Sequence, residues 1–478
     1  MPSYHTRNFG CRANQADGAA IEQDLAARGY KASPDHASAD VVILNSCTVT
    51  SAADADLRQS ARRIHRDNPQ ARIVITGCYA QRRPNELAAL PGVEWVVGNA
   101  HKSEIAKLLE AKEAKEAEEK ADAPIRSFAS FFPVTQLSAN HPDDDTAPLG
   151  SVGGAKILTS DIYAQRQFTA APFFGGTVED RTRPNLKIQD GCDNRCSFCI
   201  IPSVRGLSRS LAPAEVVEQV RSLAAAGYRE VVISGVNLGQ YGRDLHEQGR
   251  APRSGFTRLL RRVLDETPIE KLRLSSVEPM DFTDALLDLI AATPRIARHI
   301  HAPLQSGSDR ILRLMHRKYR AARYRERILA AYERFPNAAF GADVIVGFPG
   351  ETDSDFEQTY ALIDSLPMTY LHVFPYSRRP GTPADLMADQ VPPPVIRERG
   401  RLLRELSASK NQAFRERQVG QILHALTLDK GSSNEATALS DNYLRIALAP
   451  GSACPAPNTH VRVRILSATP HGLAGADV

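Results

Sequence analysis

Short runs of apolar, largely β-branched residues recur in the first part of the chain, and amphipathic stretches separate them. The clearest runs cover 40–45, 72–76 and 93–97, and a helical pattern covers 52–66 between the first two. Continuous β-branched runs separated by helices are typical of a parallel sheet that is covered on both faces. The pattern therefore predicts a small parallel α/β domain over residues 1–110.

The alternation of strand and helix patterns becomes regular between residues 184 and 415, where we predict six strands. Their ranges are 186–189, 230–234, 271–275, 299–302, 342–346 and 370–374. Helical stretches separate these strands, and the last helix opens with Thr352 and Asp355 in the spacing of a capping box. Six βα units in succession predict a partial (β/α)6 barrel of the TIM type, with its chemistry at the carboxyl ends of the strands.

The segment between these two regions has no regular pattern. Residues 110–121 are helix formers, which predicts that they extend the preceding helix. The rest of the segment lacks clear periodicity and contains loop-forming residues. We therefore predict that residues 111–183 are a linker or an insertion, and the sequence assigns them no function.

The carboxy-terminal part begins with a Pro-rich stretch at 391–394 and a basic helical pattern over 397–417. Beyond them, short β runs separated by Gly and Asn turns predict a small β-barrel over residues 416–478. Tyr443 begins one of these β runs, where it is either an exposed aromatic or part of the core. The fold class predicted for the whole chain is α/β followed by a small β-barrel.

Composition narrows the class of protein. The chain has 478 residues, which on a length of about 150 residues per domain corresponds to roughly three domains. Its hydrophobic content of 42% and charged content of 24% are those of a globular protein, and a net charge of +4 is compatible with RNA binding without requiring it. No apolar run approaches the length of a membrane span, and the first residues lack the apolar core of a signal peptide. We expect a cytoplasmic protein with no membrane partner.

Six of the seven cysteines fall into two groups of three. The first group, the loop triplet, comprises Cys192, Cys196 and Cys199 in the spacing C-x3-C-x2-C. Three thiolates can hold three irons of a cubane iron–sulfur cluster, which leaves the fourth iron free to bind a second molecule. Structural zinc is the alternative, but its usual pattern pairs two C-x2-C knuckles, and no second knuckle lies nearby. The loop triplet therefore predicts a 4Fe-4S cluster with an exchangeable coordination site.

The second group, the strand-end triplet, comprises Cys11, Cys47 and Cys78; each ends one of the first three predicted strands, which are an initial strand before Cys11 and the runs 40–45 and 72–76. Ligands of open α/β sheets collect at the carboxyl ends of the strands, so these thiols are placed to meet. Gly10 and Gly77 allow the backbone to approach a bulky group closely. Each cysteine alone also reads as a small buried apolar residue. Their repetition at equivalent positions favours a second ligand set.

Residues at the predicted strand ends of the barrel are candidates for contacts with a cofactor. The carboxylate of Glu278 is suited to accept hydrogen bonds from ribose hydroxyls, and the backbone beside Val346 can hold an adenine. Each candidate also has a purely structural explanation: Gly235 as an ordinary turn glycine, Glu278 as an exposed loop glutamate, and the segment around Val346 as an ordinary βα turn. A basic stretch at 310–318 is a candidate for phosphate contacts. The cofactor candidates are Gly235, Asn237, Ser276, Glu278, Gln305, Asp343 and Val346.

Taken together, these motifs resemble the tRNA methylthiotransferases. The spacing of the loop triplet is the signature of the radical S-adenosylmethionine enzymes, and the segments 189–193, 203–210, 304–308 and 343–352 support the likeness, as do the contexts of the strand-end triplet. The segment 45–50 most resembles the branch that acts on N6-threonylcarbamoyladenosine beside the tRNA anticodon. Sister branches act on isopentenyladenosine or on an aspartate of a ribosomal protein. This chain has Ser46 where family members often carry Thr.

The resemblance implies two 4Fe-4S clusters, one on each triplet, with S-adenosyl-L-methionine as cofactor. The cluster on the loop triplet would bind S-adenosylmethionine and generate a 5′-deoxyadenosyl radical, which removes hydrogen from carbon 2 of the adenine. The cluster on the strand-end triplet would hold the sulfur that becomes methylated and is transferred.

The same resemblance implies a set of partners. The carboxy-terminal barrel would be an OB-like TRAM domain that, with the basic segment 397–417, contacts the tRNA anticodon stem-loop. A flavodoxin or ferredoxin as electron donor, a sulfur donor and a monomeric enzyme complete the expectation. An alternative of another class is a non-catalytic iron–sulfur RNA-binding protein.

Overall fold

The structure is a computed structural model, and it describes most of the chain. The described residues are 2–121, 149–152, 154–166, 168, 182–245, 255–428, 436–449 and 455–478. Within those ranges, none of the helices combines the length and the hydropathy that a bilayer crossing requires.

The amino-terminal region is a seven-stranded sheet with helices on both faces. The sheet order is β2-β1-β3-β4-β5-β7-β6, and only the β6–β7 pair is antiparallel. Every residue of β3 is buried, as its continuous apolar run predicts. The parallel α/β prediction is confirmed. The elements are β1 (Ser3–Asn8), α1 (Arg12–Ala27), β2 (Lys31–Ala32), β3 (Val41–Ser46), α2 (Ser51–Asp67), β4 (Arg72–Gly77), α3 (Cys78–Arg82), α4 (Pro84–Ala88), β5 (Val93–Val97), α5 (Ile105–Ala121), β6 (Leu149–Val152) and β7 (Ala155–Leu158).

Part of the predicted linker belongs to this sheet. Strands β6 and β7 lie within 111–183, and β7 extends the sheet by pairing with β5, where Lys156 faces Trp95. Four-residue strands are too short to give a recognisable alternation in sequence, so their pairing is visible only in the fold. Helix α5 runs to Ala121 as predicted. The linker residues 122–148, 153, 167 and 169–181 lie outside the described residues.

The second region contains the six predicted parallel strands. They form two sheets in the orders β11-β10-β8-β9 and β12-β13-β14, where β9 is a short antiparallel addition. The elements are β8 (Asn185–Asp190), α6 (Ile201–Arg205), β9 (Arg209–Ser210), α7 (Pro213–Ala225), β10 (Glu230–Gly235), α8 (Gly255–Glu266), β11 (Lys271–Leu274), α9 (Asp284–Ala292), β12 (His299–His301), α10 (Asp309–Leu314), α11 (Ala321–Arg334), β13 (Ala339–Val346), α12 (Asp353–Ser365) and β14 (Tyr370–Pro375).

The two sheets follow one another as a partial barrel, which confirms the predicted architecture. Between β11 and β12 the regular ladder is replaced by single contacts, among them the Val277 N–H donating to the His301 carbonyl at 3.0 Å. The capping box at the start of α12 is present as predicted, with the Thr352 N–H donating to Asp355 Oδ2 at 2.9 Å. Barrel and helices share one apolar core.

The carboxy-terminal region is a closed five-stranded barrel in the order β15-β16-β17-β19-β18. Two of its strands, β16 and β19, were not predicted, because β16 is short and β19 (GLAGAD) lacks β-branched residues. The predicted small β-barrel is nevertheless confirmed. The elements are α13 (Pro393–Glu416), β15 (Ile422–Thr427), β16 (Thr437–Ser440), β17 (Arg445–Leu448), β18 (His460–Thr469) and β19 (Gly472–Asp477).

Tyr443 contacts the partial barrel at its amino end and so connects the small barrel to it. Its ring stacks on His299, with 4.3 Å between ring centroids, and the Arg12 guanidinium donates to its hydroxyl at 3.3 Å. Beside it, the buried Arg273 donates to Glu230 at 2.7 Å and to the Ser440 carbonyl at 3.2 Å. Tyr443 therefore closes the amino end of the partial barrel and is not an exposed aromatic for RNA.

Candidate functional site

The loop triplet lies at the carboxyl end of β8, in a loop that side chains from the rest of the barrel hold in shape. The Asp193 N–H donates to Gln240 Oε1 at 3.0 Å, and Asp193 Oδ1 accepts from the Ser208 N–H at 2.9 Å. The buried Ser197 hydroxyl donates to the Leu314 carbonyl at 2.7 Å. The loop is therefore ordered by polar contacts that do not involve the cysteines.

Hydrogen-bond donors surround the sulfur atoms of this loop. The Asn194 N–H lies 3.4 Å from Cys192 Sγ, and the Asn237 side-chain amide lies 3.7 Å from the same atom. The Arg317 guanidinium lies 3.4 Å from Cys196 Sγ. Donors of this kind stabilise the negative sulfur of a thiolate or of an iron–sulfur cluster.

Burial affects the protonation of the thiols in the loop triplet. Burial raises the pKa of Cys192 to about 11 and that of Cys199 to about 12, and the neighbouring Cys196 adds to both effects. Without a cation these buried thiols are protonated, whereas a bound metal displaces the protons. Asn237 Oδ1 is buried and accepts no hydrogen bond from the described residues, so it is available to a donor on a ligand. The donor set suits an iron–sulfur cluster beside a small polar ligand.

The strand-end triplet gathers at the carboxyl ends of β1, β3 and β4, three neighbouring strands of the sheet. Cys47 and Cys78 are buried, and Cys11 is exposed. Burial raises the pKa of Cys47 to about 12, and the charges of Cys78 and Cys11 contribute, which reflects how close the three thiols lie. Gly10 adopts φ +90°, and a Cβ there would stand 2.6 Å from Cys47 Sγ. The three thiols suit a second cluster on the same physical grounds.

The short helix α6, which follows the loop triplet, packs against a cysteine of the strand-end triplet. Cys78 packs against Ile200 and Val204 at this helix. The side-chain amide of Asn99 lies 3.7 Å from Cys78 Sγ and donates to the Val204 carbonyl at 2.5 Å. The helix that leaves the first triplet therefore forms a wall of the second.

Several of the predicted cofactor residues border the loop triplet. Gly235 ends β10, and the Asn237 N–H that follows donates to Gln189 Oε1 at 2.7 Å. Glu278 follows β11 and forms an ion pair with Arg317, the same guanidinium that reaches Cys196. Asn237 and Glu278 thus come within one contact of the thiols of the loop triplet, and their binding of a cofactor stays a prediction.

Ser276 and Asp343 lie in a polar layer deeper in the lumen. The Ser276 hydroxyl is 2.6 Å from His301 Nδ1. Asp343 Oδ1 is 3.2 Å from His301 Nε2 and 3.1 Å from His372 Nδ1. Burial alone would raise the pKa of Asp343, but the two imidazoles hold it below the usual range. Asp343 belongs to the middle of β13, so it is farther from the loop triplet than the strand-end residues.

Gln305 and Val346 complete the predicted set, and no contact joins either of them to the loop triplet within the described residues. Gln305 has φ +64°, and its N–H donates to the Asp343 carbonyl at 2.8 Å. Val346 is buried at the end of β13, and its carbonyl accepts from the Tyr376 N–H at 2.8 Å. A cofactor contact at these two positions stays a prediction.

Two arginines of the basic stretch 310–318 are paired with carboxylates. The Arg317 side chain is 5% exposed and faces Glu278 and Cys196, while Arg310 is paired with Asp355. On α13, Arg399 is buried against Glu351 at 2.7 Å, and Arg401 is held by carboxylates of its own helix. Arg313 and Lys318 of the first segment and Arg397 and Arg404 of the second are exposed, so phosphate contacts of these segments stay a prediction.

Sequence reasoning missed several residues that build the site. Arg317 was named only within the basic stretch proposed for phosphate contacts, and Gln189 and Asn14 were not singled out. A buried polar residue has no periodicity of its own, so the pattern of the chain offered no signal for these positions. Only the placement of the cysteines marks where such partners are needed.

The chain matches two described families. Residues 186–363 match the Radical SAM superfamily, and residues 3–98 match the uncharacterized protein family UPF0004. The first match covers five of the six parallel barrel strands, and the second covers the strand-end triplet. The two triplets therefore fall in two separately recognised families.

Relatives with assigned names match over nearly the whole chain. The threonylcarbamoyladenosine tRNA methylthiotransferase MtaB of Aquifex aeolicus is 37% identical over 92% of this chain and 94% of that protein. The MtaB of Bacillus subtilis is 34% identical over 93% of this chain and 89% of that protein. The tRNA-2-methylthio-N(6)-dimethylallyladenosine synthase of Syntrophobacter fumaroxidans is 34% identical over 99% of this chain and 95% of that protein.

Among solved structures, the radical S-adenosylmethionine methyltransferase TsrM from Kitasatospora setae is similar in fold. The TM-score is 0.57 at 16% identity, and the alignment covers 81% of this chain and 75% of that chain. At this identity the likeness concerns the fold alone.

Proposed function

The chain belongs to the tRNA methylthiotransferase family of radical S-adenosylmethionine enzymes, and we propose that it methylthiolates carbon 2 of N6-threonylcarbamoyladenosine beside the tRNA anticodon. The observation that carries the proposal is that α6, the helix that leaves the loop triplet, packs against Cys78 of the strand-end triplet. Replacing an aryl C–H bond by a C–S bond needs both a radical and a sulfur donor. Two neighbouring ligand sets supply a place for each.

We assign one 4Fe-4S cluster to each triplet. When bound there, the clusters and S-adenosylmethionine supply a carbon-centred radical and a methylated sulfur, which the side chains of the protein cannot provide. The thiols of the loop triplet and of the strand-end triplet would hold them. The donors on Cys192 and Cys196 stabilise negative charge on the sulfurs and so influence the reduction potential of that site.

The residues beside the loop triplet have defined roles in this proposal. Gln189 fixes the backbone of Asn237, so that Asn237 Oδ1 points to where a ligand amino group needs an acceptor. The ion pair with Arg317 holds the Glu278 carboxylate in place as an acceptor near the thiols of the loop triplet. These groups bind and orient S-adenosylmethionine, and they do not themselves react.

The lumen of the barrel is the proposed site for the target base. Below the loop triplet lies the polar layer of Ser276, His301, Asp343 and His372, and His372 is open to the lumen with 54% of its side chain exposed. Below that layer, Tyr443 and His299 close the amino end of the barrel. A base entering the lumen would meet hydrogen-bonding groups at its edge and leave behind water that could quench a radical.

The small barrel is proposed to contact the anticodon stem-loop. On β18 the inward residues are apolar, while Arg462 and Arg464 face outward beside His424 of β15. Contacts of this kind bind phosphates without reading sequence. The finer expectations are an electron donor such as flavodoxin or ferredoxin, a sulfur donor, a monomeric enzyme and a location in the cytoplasm with its tRNA.

Mass spectrometry of tRNA nucleosides from a deletion strain tests the substrate. We expect 2-methylthio-N6-threonylcarbamoyladenosine to disappear and its unthiolated precursor to accumulate, with restoration by the wild-type chain and not by Cys47→Ala. Loss of the methylthio derivative of the dimethylallyl nucleoside would favour the second candidate, since some relatives are named for that product. Unchanged tRNA would contradict both substrates and leave a protein side chain to be tested.

Purified protein separates catalysis from a structural role. After anaerobic reconstitution we expect about eight irons per chain, two clusters of four, and S-adenosylmethionine cleavage under reduction. A fully loaded chain that cleaves no S-adenosylmethionine would favour the non-catalytic RNA-binding alternative.

A further inference from the structure

Arg205 is the last residue of α6, and its guanidinium joins the surroundings of both cysteine triplets. Its side chain is 1% exposed. It donates to Asp190 at 2.7 Å, and Asp190 precedes Cys192 by two residues. It also donates to Asn14 Oδ1 at 2.5 Å and to Asp17 Oδ2 at 2.9 Å, both on α1, the helix that begins directly after Cys11. One buried cation therefore links the two loops that carry Cys11 and Cys192.

Asn14 extends this link to the rest of the strand-end triplet. Its side-chain amide donates to the Phe9 carbonyl at 2.8 Å and to the Ser46 carbonyl at 2.7 Å. These carbonyls precede Cys11 and Cys47 in the chain. The Ser46 hydroxyl in turn accepts from the Tyr79 N–H at 3.0 Å, directly after Cys78. All three loops of the strand-end triplet are thus connected to Arg205 through one buried asparagine.

Further charges complete the environment of Arg205. Asp17 also accepts from Lys102 at 2.6 Å and pairs with Lys187. Burial alone would raise the pKa of Asp17, but these cations and Arg205 hold it well below its usual value. Burial alone would lower the pKa of Arg205, and the charges of Asp190, Cys78 and Asp17 raise it well above its usual value. The groups are charged together, and removing one would leave the others uncompensated.

We infer that Arg205 and Asn14 are positioning residues that set the distance and orientation between the two cluster sites. The inference rests on the proposed function for the presence of two clusters, but not for the identity of the substrate. A planar guanidinium with several donors fixes its partners in direction as well as distance, which a lysine ammonium does not. Misplacement by about 1 Å between reacting groups is enough to lower a rate about a hundredfold. A rigid link between the radical site and the sulfur site therefore controls how often a radical leads to product.

Arg205→Lys is the direct test, because it keeps the positive charge and removes the planar guanidinium with its several directed donors. We expect both clusters to assemble and S-adenosylmethionine cleavage to remain close to wild type. The methylthio product formed per 5′-deoxyadenosine should fall at least about tenfold. The magnetic coupling between the two reduced clusters, measured by EPR, should weaken or become heterogeneous.

Arg273→Lys is the matched control. Arg273 is also 1% exposed and also joins two regions of the chain, through Glu230 and the Ser440 carbonyl, but it contacts neither triplet. We expect it to lose stability while keeping the wild-type product ratio and EPR coupling. An equal loss of the ratio in Arg273→Lys, or a wild-type ratio and coupling in Arg205→Lys, would overturn the inference.

A second variant covers the case in which Arg205→Lys does not hold iron. Asn14→Asp keeps an acceptor for Arg205 and removes the amide donors to Phe9 and Ser46, so we expect the same loss of product ratio. Wild-type coupling and ratio in this variant would contradict the role of Asn14. The EPR measurement needs no RNA, so it tests the link even if the wild-type chain makes a different product.

Discussion

The two cysteine triplets reach similar chemical settings by different routes. The loop triplet is contained in one loop after β8, which side chains of its own barrel hold in shape. The strand-end triplet comes from three loops, and it exists only because β1, β3 and β4 are neighbours in the sheet. The first site is built by local spacing and the second by sheet order. A change that disturbs the sheet should therefore affect one triplet and spare the other.

The largest expected effect separates the triplets through the cysteines themselves. Cys196→Ala should abolish S-adenosylmethionine cleavage and leave the second cluster intact, because that cluster uses other thiols. Cys47→Ala should leave cleavage and abolish sulfur insertion. Iron content measures cluster assembly, 5′-deoxyadenosine measures S-adenosylmethionine cleavage, and the methylthio product measures sulfur insertion. Product formation by either variant would contradict the division of roles.

A matched pair of glycines tests the same division through sterics. An added Cβ at Gly10 would meet Cys47 Sγ at 2.6 Å, and one at Gly191 would meet the Leu207 carbonyl at 2.0 Å beside the loop triplet. We expect Gly10→Ala to lose about half of the iron, one of two clusters, and to keep cleavage. Gly191→Ala should lose cleavage instead.

Gly227→Ala is the control for this pair. Gly227 also has positive φ, but a Cβ there meets nothing within 4 Å. We expect a cost of about 1 kcal/mol from backbone strain and normal function of both triplets. If this variant also lost iron, the effects of Gly10→Ala and Gly191→Ala would be due to backbone strain and not to contacts at the triplets.

Two buried serines sharpen the comparison in terms of stability. Ser46 Oγ accepts from the N–H groups of Tyr79 and Ala80 and donates to the Thr76 carbonyl, whereas Ser197 Oγ makes a single bond, to the Leu314 carbonyl. Ser46→Ala should lower the free energy of unfolding of the metal-free chain by about 2 kcal/mol, and Ser197→Ala by about 1 kcal/mol. Denaturant titration measures both. If Ser197→Ala lowered the free energy of unfolding more than Ser46→Ala does, this prediction would be wrong.

A further comparison concerns the effect of pH on stability, first at the amino end of the barrel. Burial, with the charges of Arg273 and His301, holds the pKa of His299 well below its ordinary value of 6.5. Below pH 6.5 the unfolded chain takes up this proton and the folded chain does not, so stability falls with acidity by about 1.4 kcal/mol per pH unit. Unfolding of the metal-free chain at pH 7.5, 6.5 and 5.5 should show this slope, and His299→Gln should reduce it. An unchanged slope would mean that other groups cause it.

The stability contributed by the buried carboxylates Asp17 and Asp190, which pair with Arg205, should not change between pH 7.5 and 5.5. Asp17 and Asp190 have pKa values held below 3.8 by Lys187 and Arg205 against the opposing effect of burial, so their contribution is fully present above that pH. It is lost only as the pH falls through the lowered values. Asp17→Asn should therefore lower stability without changing its slope between pH 7.5 and 5.5.

Much of the fold was predictable from the sequence. The six barrel strands, the parallel amino-terminal sheet and the capping box of α12 follow from apolar runs and turn residues, which act over a few positions. Strands β6, β7, β16 and β19 were missed, because they are short or lack β-branched residues and depend on their pairing partners. The interruption of the ladder between β11 and β12 also has no local signal.

The candidate site was predictable in its thiols and less so in its supporting residues. Asn237 and Glu278 lie beside the loop triplet as expected, whereas Asp343 belongs to a deeper layer with His301 and His372. The contacts of Arg317 with Glu278 and Cys196 had no signal in the sequence. A charged side chain looks the same in sequence whether it meets water or a buried carboxylate.

The sequence by itself determined the loop triplet, since the spacing of three thiols within one loop already limits how they can bind a metal. It also determined the alternation of strands and helices that places this loop at the end of β8. The tertiary structure decided which strands are neighbours, and so brought Cys11, Cys47 and Cys78 together. It also placed Arg205 between the triplets and Tyr443 under the barrel. These contacts join residues far apart in the chain, and their free energy depends on the packing of whole domains rather than on any local pattern.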